Sequence, residues 1–68
     1  MASGVCVGWF EERGYGWIRP DSGGADIFVH RRSLQGSVLW LDQGHRVEFE
    51  IGLDARTGKP HADSVRLI

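Results

Sequence analysis

GYGWIRPDSGGADIFVH, residues 14–30, contains two short apolar runs on either side of a segment of turn-forming residues. Neither run has the i, i+3, i+4 spacing of apolar residues that an amphipathic helix requires. Residues 20–24 combine Pro, Asp, Ser and two Gly, which are strong breakers of regular structure. Short apolar runs separated by turn residues recur along the chain, and this pattern predicts an all-β fold.

The turn residues divide the sequence into five predicted strands. We place them at about residues 4–10, 14–19, 25–30, 45–52 and 60–67, and we expect a tight turn or one turn of 3₁₀ helix around residues 31–34. Five short strands in a chain of 68 residues cannot leave long sheet edges exposed. The expected architecture is therefore a single domain over residues 1–68, built as a closed or nearly closed antiparallel β-barrel.

The size and charge of the chain limit the functions it can have. A domain of 68 residues has a thin core and little depth for a substrate pocket, which argues against most enzymes. Eight Lys and Arg against nine Asp and Glu give a net charge of -1, whereas a protein that held nucleic acid mainly by neutralising phosphates would be basic. Seven of the eight cations are Arg, whose planar guanidinium can stack on a base as well as pair with phosphate. Any binding of nucleic acid must therefore rely on more than charge.

The N-terminus and the single cysteine indicate the expected compartment. The first residues have no basic stretch ahead of an apolar segment, so we expect no signal peptide. No apolar run approaches the roughly 20 residues of a membrane span. Cys6 has no partner for an internal disulfide, and it lies among valines, as a small core residue would. We therefore expect a cytoplasmic protein that does not associate with membranes.

No arrangement of reactive side chains predicts catalysis, a metal site or a cofactor. Cys6 and the three histidines are too widely spaced for a zinc motif. The pair Gly23-Gly24 lacks the following helix and the Lys-Ser/Thr signature of a phosphate-binding loop. We interpret Glu11-Glu12 as solvated charges in an open turn, and we expect neither an enzyme nor a bound cofactor.

Side chains alternate between the two sides of a strand, and this period sorts the second and third predicted strands into two faces. One side is aliphatic and suits a barrel interior: Ile18, Ile27 and Val29. The other side carries rings, and we call it the aromatic face: Tyr15, Trp17, Phe28 and His30. The same alternation predicts three interior residues on the fourth strand: Val47, Phe49 and Ile51. The aromatic face is therefore expected outside, where a soluble monomer rarely exposes such a patch without a use for it.

An exposed set of rings suits the binding of single-stranded nucleic acid. Each unpaired base offers a π-face, and a ring beneath it contributes about 1–3 kcal/mol, whereas duplex bases offer their faces only to one another. Arg19 and Asp26 flank the aromatic face, and three arginines could meet phosphates: Arg13, Arg19 and Arg31. Two other interpretations remain open: the rings could form the core, or the face could bind another protein or a second copy of the chain.

Two linked motifs resemble those of the cold-shock domain family. Gly14-Tyr15-Gly16-Trp17-Ile18 resembles the first ribonucleoprotein motif, Lys-Gly-Phe-Gly-Phe-Ile, with Arg13 in place of its Lys. Ile27-Phe28-Val29-His30 resembles the second motif, Val-Phe-Val-His, with Asp26 at the usual preceding Asp. Trp9-Phe10 resembles the Trp-Phe of the family's first strand, and the similarity continues into the fourth and fifth strands.

This resemblance implies a five-stranded OB-fold barrel that binds single-stranded RNA and DNA with little sequence preference. It also implies a nucleic-acid chaperone that affects RNA structure, transcription or translation. It adds Trp9 as a stacking ring and places Lys59 at a basic contact, while Arg32 adds charge beside the aromatic face where the family has a small hydroxyl residue. We expect a monomer, with weak homodimer formation as the alternative.

Three departures from the family pattern affect the expected site. Residues 11–13 are three where the family has four, so the first strand has either a bulge near Val7-Gly8 or a shifted register. Acidic Glu11 stands where the family has Asn, and Trp40 either caps the core or supplies an extra ring. The acidic residues and the altered first strand leave a second function open: a protein-binding regulatory module that keeps the barrel but binds nucleic acid weakly.

Overall fold

A computed structural model describes all 68 residues of the chain. It contains five strands and one 3₁₀ turn: β1 (Ala2–Phe10), β2 (Tyr15–Pro20), β3 (Ile27–His30), η1 (Arg31–Ser33), β4 (Arg46–Leu53) and β5 (Pro60–Leu67). β1 begins at Ala2 rather than at residue 4, and β3 begins at Ile27 rather than at residue 25. The 3₁₀ turn η1 confirms the turn that the sequence predicts after the third strand.

The strands close into a barrel in the order β1-β2-β3-β5-β4, which confirms the expected five-stranded, OB-type all-β fold. Neighbouring strands are antiparallel except for β3 and β5, which pair in parallel through Phe28 with His61 and Val29 with Ala62. A parallel pair needs a crossover connection, and the chain supplies it by passing through η1, the 34–45 loop and β4. The barrel is therefore not antiparallel throughout, and its parallel seam places β5 beside the ring-bearing strand β3.

The interior of the barrel is apolar and small. Its hydrophobic core consists of Cys6, Ile18, Ile27, Val29, Leu41, Val47, Phe49, Ala62 and Val65. The aliphatic residues of β2 and β3 lie inward as their alternation predicts, so the interpretation of the aromatic rings as core is wrong. Burial raises the pKa of the Cys6 thiol, which keeps the thiol protonated and unreactive. This confirms Cys6 as a small packing residue of the core.

One predicted interior residue, Ile51, lies largely outside. It is 55% exposed, although it pairs with the fully buried Ala62. Ile51 is exposed because β1 starts too late to reach it: the pairing of β1 with β4 ends at Ala2, opposite Phe49. Beyond Phe49, β4 has only β5 as a neighbour, so no strand covers Ile51 on the β1 side and its side chain stays exposed. The prediction for Ile51 is therefore wrong.

β1 contains a bulge between Cys6 and Gly8, which decides the open question of its register. Gly8 pairs with Trp17, and Phe10 pairs with Tyr15, so the extra residue is Val7. One extra residue moves every following side chain of the strand to the opposite side of the sheet. As a result, Phe10 lies on the same side of the sheet as Tyr15.

Candidate functional site

The aromatic face is built from two cross-strand pairs. Tyr15 on β2 pairs with His30 on β3, and Trp17 pairs with Phe28, so the four rings lie side by side on the outer side of the barrel. Phe28 is central: its ring centroid lies 5.4 Å from that of Tyr15, 5.5 Å from Trp17 and 6.5 Å from His30. These separations are those of attractive aromatic pairs, so the rings hold one another in place.

Phe10 extends this surface beyond the four residues of the aromatic face. Its ring centroid lies 5.6 Å from that of Tyr15, and the residue is 49% exposed, compared with 38% for Trp17. Alternation along β1 did not identify Phe10, because the bulge determines the side on which it lies. The signal that could have found it is the short turn at residues 11–13, which holds Phe10 opposite Tyr15.

β5 adds a second wall beside the aromatic face. His61 lies in register with Phe28. A groove of about 310 Å³, which we call the Lys59 groove, is lined by Trp17, Ala25, Asp26, Phe28, Asp54, Thr57, Lys59, Pro60 and His61. The structure thus brings the predicted basic residue Lys59 together with two of the rings. His61 was not predicted as a site residue, because parallel pairing between distant strands leaves no local pattern in the sequence.

Asp54 holds the hairpin that forms the far side of the Lys59 groove. Its carboxylate accepts hydrogen bonds from the backbone N–H of Arg56 at 2.7 Å and of Thr57 at 3.2 Å. These hydrogen bonds lower the pKa of Asp54, so the side chain is ionised at neutral pH. Together with Asp26 and Lys59, it makes the charge of the groove mixed rather than basic.

Three arginines border the end of the aromatic face where Tyr15 pairs with His30: Arg13, Arg31 and Arg32. Nη1 of Arg13 lies 3.5 Å from the Tyr15 hydroxyl. The Arg31 guanidinium packs over Gly14, where an added Cβ would lie 3.3 Å from Cζ, and the Arg31 backbone N–H donates to the Gly14 carbonyl at 2.7 Å. None of the three arginines forms an ion pair, and all are exposed. Their guanidinium groups are therefore exposed and not neutralised by a carboxylate partner.

The other end of the aromatic face is closer to neutral. Nε of Arg19 lies 3.8 Å from Oδ1 of Asp26, and both side chains are exposed. An exposed pair of this kind contributes little to stability. It nevertheless offsets the charge of Arg19, so the bordering arginines without an ion pair are those at the end where Tyr15 pairs with His30.

His30 combines a stacking surface with a defined hydrogen-bonding pattern. The backbone N–H of Arg32 donates to Nδ1 of His30 at 3.1 Å, which caps η1. A ring nitrogen that accepts a hydrogen bond carries no hydrogen, so the neutral imidazole has its hydrogen on Nε2. His30 can therefore stack on a base through its face and donate a hydrogen bond through Nε2.

Trp9 lies apart from the other predicted rings, on the opposite side of β1 from Phe10. It pairs with Gly16 and packs against the core. A Cβ at position 16 would lie 2.8 Å from Cε3 of Trp9 and would clash with the Gly8 carbonyl oxygen, so only glycine fits there. On its other edge, the indole Nε1–H donates to Oε2 of Glu11 at 2.7 Å. The structure thus does not bring Trp9 together with the aromatic face.

Trp40 and Trp9 line one cleft, which we call the Trp9–Trp40 cleft. It has a volume of about 530 Å³ and is lined by Gly8, Trp9, Phe10, Glu11, Trp40, Leu41, Asp42 and Gln43. Trp40 is 50% exposed. It forms one wall of this cleft, which adjoins the aromatic face through Phe10.

The rest of the chain offers no competing centre. No group of three or more His, Cys, Asp or Glu is placed to hold a metal ion. Every buried side-chain nitrogen and oxygen has a hydrogen-bond partner. None of the structure's helical segments has the length and apolar character that crossing a membrane requires. The candidate site is therefore the aromatic face with Phe10, the Lys59 groove and the bordering arginines.

Comparison with known proteins finds similarity over nearly the whole chain. The family model described as "'Cold-shock' DNA-binding domain" matches residues 3–68. "Probable cold shock protein A" of Mycolicibacterium smegmatis is 44% identical, over 91% of this chain and 92% of that protein. "Cold shock protein" of Arthrobacter globiformis is 44% identical over 100% of both chains. "Cold shock protein CspA" of Rhizobium meliloti is 38% identical over 97% of each.

Proposed function

Since the chain belongs to the cold-shock domain family, a family of nucleic-acid-binding domains, we propose that it binds single-stranded RNA or DNA by stacking unpaired bases on the aromatic face. The observation that carries this proposal is the continuous row of rings from Phe10 through Tyr15 and Phe28 to Trp17 and His30. Every base has a π-face, so stacking tolerates any sequence. The proposed binding therefore has little sequence preference.

The distribution of charge supports this proposal despite the net charge of -1. The arginines that border the aromatic face are unpaired, whereas Arg46 and Arg66 are engaged with Asp21 and Glu48. The proposed phosphate contacts come from the unpaired cations near the rings: Arg13, Arg31, Arg32 and Lys59. Stacking supplies most of the affinity in this mechanism, and the cations hold the backbone of the strand over the rings.

Binding of this kind selects single strands, because paired bases are stacked on one another and offer no free face. A protein that binds only the open form of an RNA hairpin shifts the equilibrium toward that form. The proposed role is therefore that of a nucleic-acid chaperone acting on RNA structure, as a monomer without enzymatic activity or a cofactor. The single buried, free Cys6 suits a reducing compartment, which supports a cytoplasmic location.

Tryptophan fluorescence tests the proposal, because Trp17 is the tryptophan of the aromatic face. Titration with a short pyrimidine oligonucleotide at low salt is expected to quench the emission as a base stacks on Trp17. The Trp17→Phe variant keeps a ring for stacking but removes this reporter, so it should bind with similar affinity and show much weaker quenching. A wild-type protein that shows no quenching at micromolar concentration would contradict the proposal. In that case, protein partners that stay bound after nuclease treatment would favour the alternative of a protein-binding module.

A further inference from the structure

We propose that Glu11 closes the Trp9–Trp40 cleft to the nucleic-acid strand and thereby limits the number of nucleotides that the protein binds. This inference rests on the proposed function, because it concerns where the bound strand ends. The cleft adjoins the binding surface, since Phe10 lines the cleft and also lies 5.6 Å from Tyr15, centroid to centroid. A strand that follows the rings toward Phe10 reaches the cleft next.

Neither the size of the cleft nor its apolar walls would keep a base out of it. Its volume of about 530 Å³ lies within the roughly 300–1,000 Å³ of small-molecule pockets. Its walls include two tryptophans, the residue type with the largest stacking surface, and Trp40 is half-exposed. On shape alone, the cleft would accept a base between or against these rings.

The charge of the cleft opposes a nucleotide. Its lining residues include the carboxylates Glu11 and Asp42 and no Lys or Arg. A phosphate that entered would lie well within the Debye length of these carboxylates, roughly 10 Å at 0.1 M salt, and would be repelled. The charged side chains beside the proposed path of the strand therefore change from the arginines near Tyr15 and His30 to the carboxylates that line the cleft.

Glu11 also holds the indole ring of Trp9, on which a base in the cleft would stack. Its carboxylate accepts the hydrogen bond of the Trp9 indole N–H at 2.7 Å, a short, charge-assisted contact. The Cε3 edge of the same indole packs over Gly16. The Trp9 indole is therefore contacted at both edges. The Glu11→Gln variant removes the charge but keeps an oxygen that can accept this hydrogen bond, so it isolates the effect of charge.

Glu12 provides a matched control. It is the next residue, it is exposed, and it does not line the cleft. Glu12→Gln changes the net charge of the protein by the same amount as Glu11→Gln, so any difference between the two variants reports on the cleft. Dissociation constants are to be measured for the wild type and both variants with oligothymidylates of about four to ten nucleotides, lengths within the range of OB-fold sites, at one fixed salt concentration.

We expect the affinity of the wild type to increase with oligonucleotide length and then to level off. The affinity of Glu11→Gln should continue to increase beyond that length. One additional stacked base corresponds to about a 5-fold or larger gain in the affinity of Glu11→Gln for the longer oligonucleotides. Glu12→Gln should instead show the same small gain in affinity at every length. Adding Trp40→Ala to Glu11→Gln should remove the gain, and because Trp40 is half-exposed this change leaves the core intact.

Three results would overturn the inference. Equal gains for the two glutamine variants at every length would show that only overall charge matters. A gain of Glu11→Gln that persists with Trp40→Ala would place the added contact outside the cleft. A loss of affinity of the Trp40→Ala single variant, confined to the longer oligonucleotides, would show that the strand already occupies the cleft of the wild type. If the wild type binds no oligonucleotide of any length, the proposed function itself fails, and the inference fails with it.

Discussion

Phe28 and Phe49 test the division between binding and folding, since they are the same residue type on opposite sides of the barrel wall. Phe49 is fully buried in the core. Phe28 is half-buried on the aromatic face, where its ring contacts those of Tyr15 and Trp17. We predict that Phe28→Ala removes most of the binding and keeps the fold, whereas Phe49→Ala removes the fold.

The structure gives the size of each loss. Phe28 takes part in three ring pairs. The two shorter pairs are each worth about 0.5–1.5 kcal/mol beyond burial, so their loss alone should lower the free energy of unfolding by about 1–3 kcal/mol. Truncation of a buried core Phe costs about 3–5 kcal/mol. At about 0.05–0.15 kcal/mol per residue, a domain of 68 residues is stable by only about 3–10 kcal/mol. Phe49→Ala should therefore lose a large share of this stability, and it is unfolded at room temperature when the wild type lies in the lower half of this range.

Urea denaturation followed by circular dichroism measures stability, and oligonucleotide titration measures binding on the same preparations. Phe28→Ala should unfold cooperatively at a modestly lower midpoint and should bind about 5- to 150-fold more weakly, the loss that corresponds to one stacked base. Leu53→Ala is the control, because Leu53 is an exposed apolar residue of β4 whose truncation should change neither quantity. Equal destabilisation of Phe28→Ala and Phe49→Ala, or unchanged binding of Phe28→Ala, would refute the assignment of the binding face.

Three further measurements address charge, packing and pH. With about two to four phosphate contacts, the slope of log affinity against log salt should be about -1.4 to -2.8; a slope steeper than about -5 would show that charge, not stacking, dominates. Gly16→Ala should lower the thermal midpoint strongly because its Cβ would clash, whereas Gly8→Ala, where a Cβ would meet nothing within 4 Å, should not; the reverse order would contradict the packing of β1 on β2. The hydrogen bond from Arg46 lowers the pKa of Asp21, so the ionised carboxylate stabilises the fold above its ordinary pKa of 3.8, and this contribution is lost as the pH falls through the lowered value. The difference in the free energy of unfolding between the wild type and Asp21→Asn should therefore shrink on acidification below about pH 4. A difference that stays constant with pH would show that the ionised Asp21 carboxylate does not stabilise the fold.

The features that the sequence predicts best are those that depend on one strand at a time. On β2 and β3, period-two alternation separates rings from aliphatic residues, and the structure has Trp17 outside and Ile18 fully buried. This succeeds because side-chain direction in a strand follows from backbone geometry alone. The motif residues at 14–18 and 27–30 carry the same information, so alternation and motif identify the same aromatic face.

The features that the sequence does not predict depend on contacts between distant segments. Ile51 alternates correctly but lies beyond the start of β1, which no local pattern reveals. His61 lies beside Phe28 only because β3 and β5 pair in parallel across the closure of the barrel. Both outcomes follow from how the strands are staggered around the barrel, and stagger is set by the whole sheet rather than by any one strand.

The bulge in β1 follows from two anchors that different parts of the chain fix. The core holds Cys6 opposite Ile18, since both residues are fully buried. The tight turn at residues 11–14 holds Phe10 opposite Tyr15, because two of its backbone N–H groups donate to the Phe10 carbonyl. Between the anchors, β1 advances from residue 6 to residue 10 while β2 advances from residue 15 to residue 18, so β1 has one residue too many.

Because the excess residue has to be absorbed between these anchors, core packing and turn length together decide which ring joins the binding surface. Val7 is the residue without a partner, and every side chain after it is turned to the other side of the strand. Phe10 therefore meets Tyr15, while Trp9 is directed over Gly16 and toward the carboxylate of Glu11. The short acidic turn thus determines both the last ring of the proposed binding surface and the negative charge at the cleft beside it.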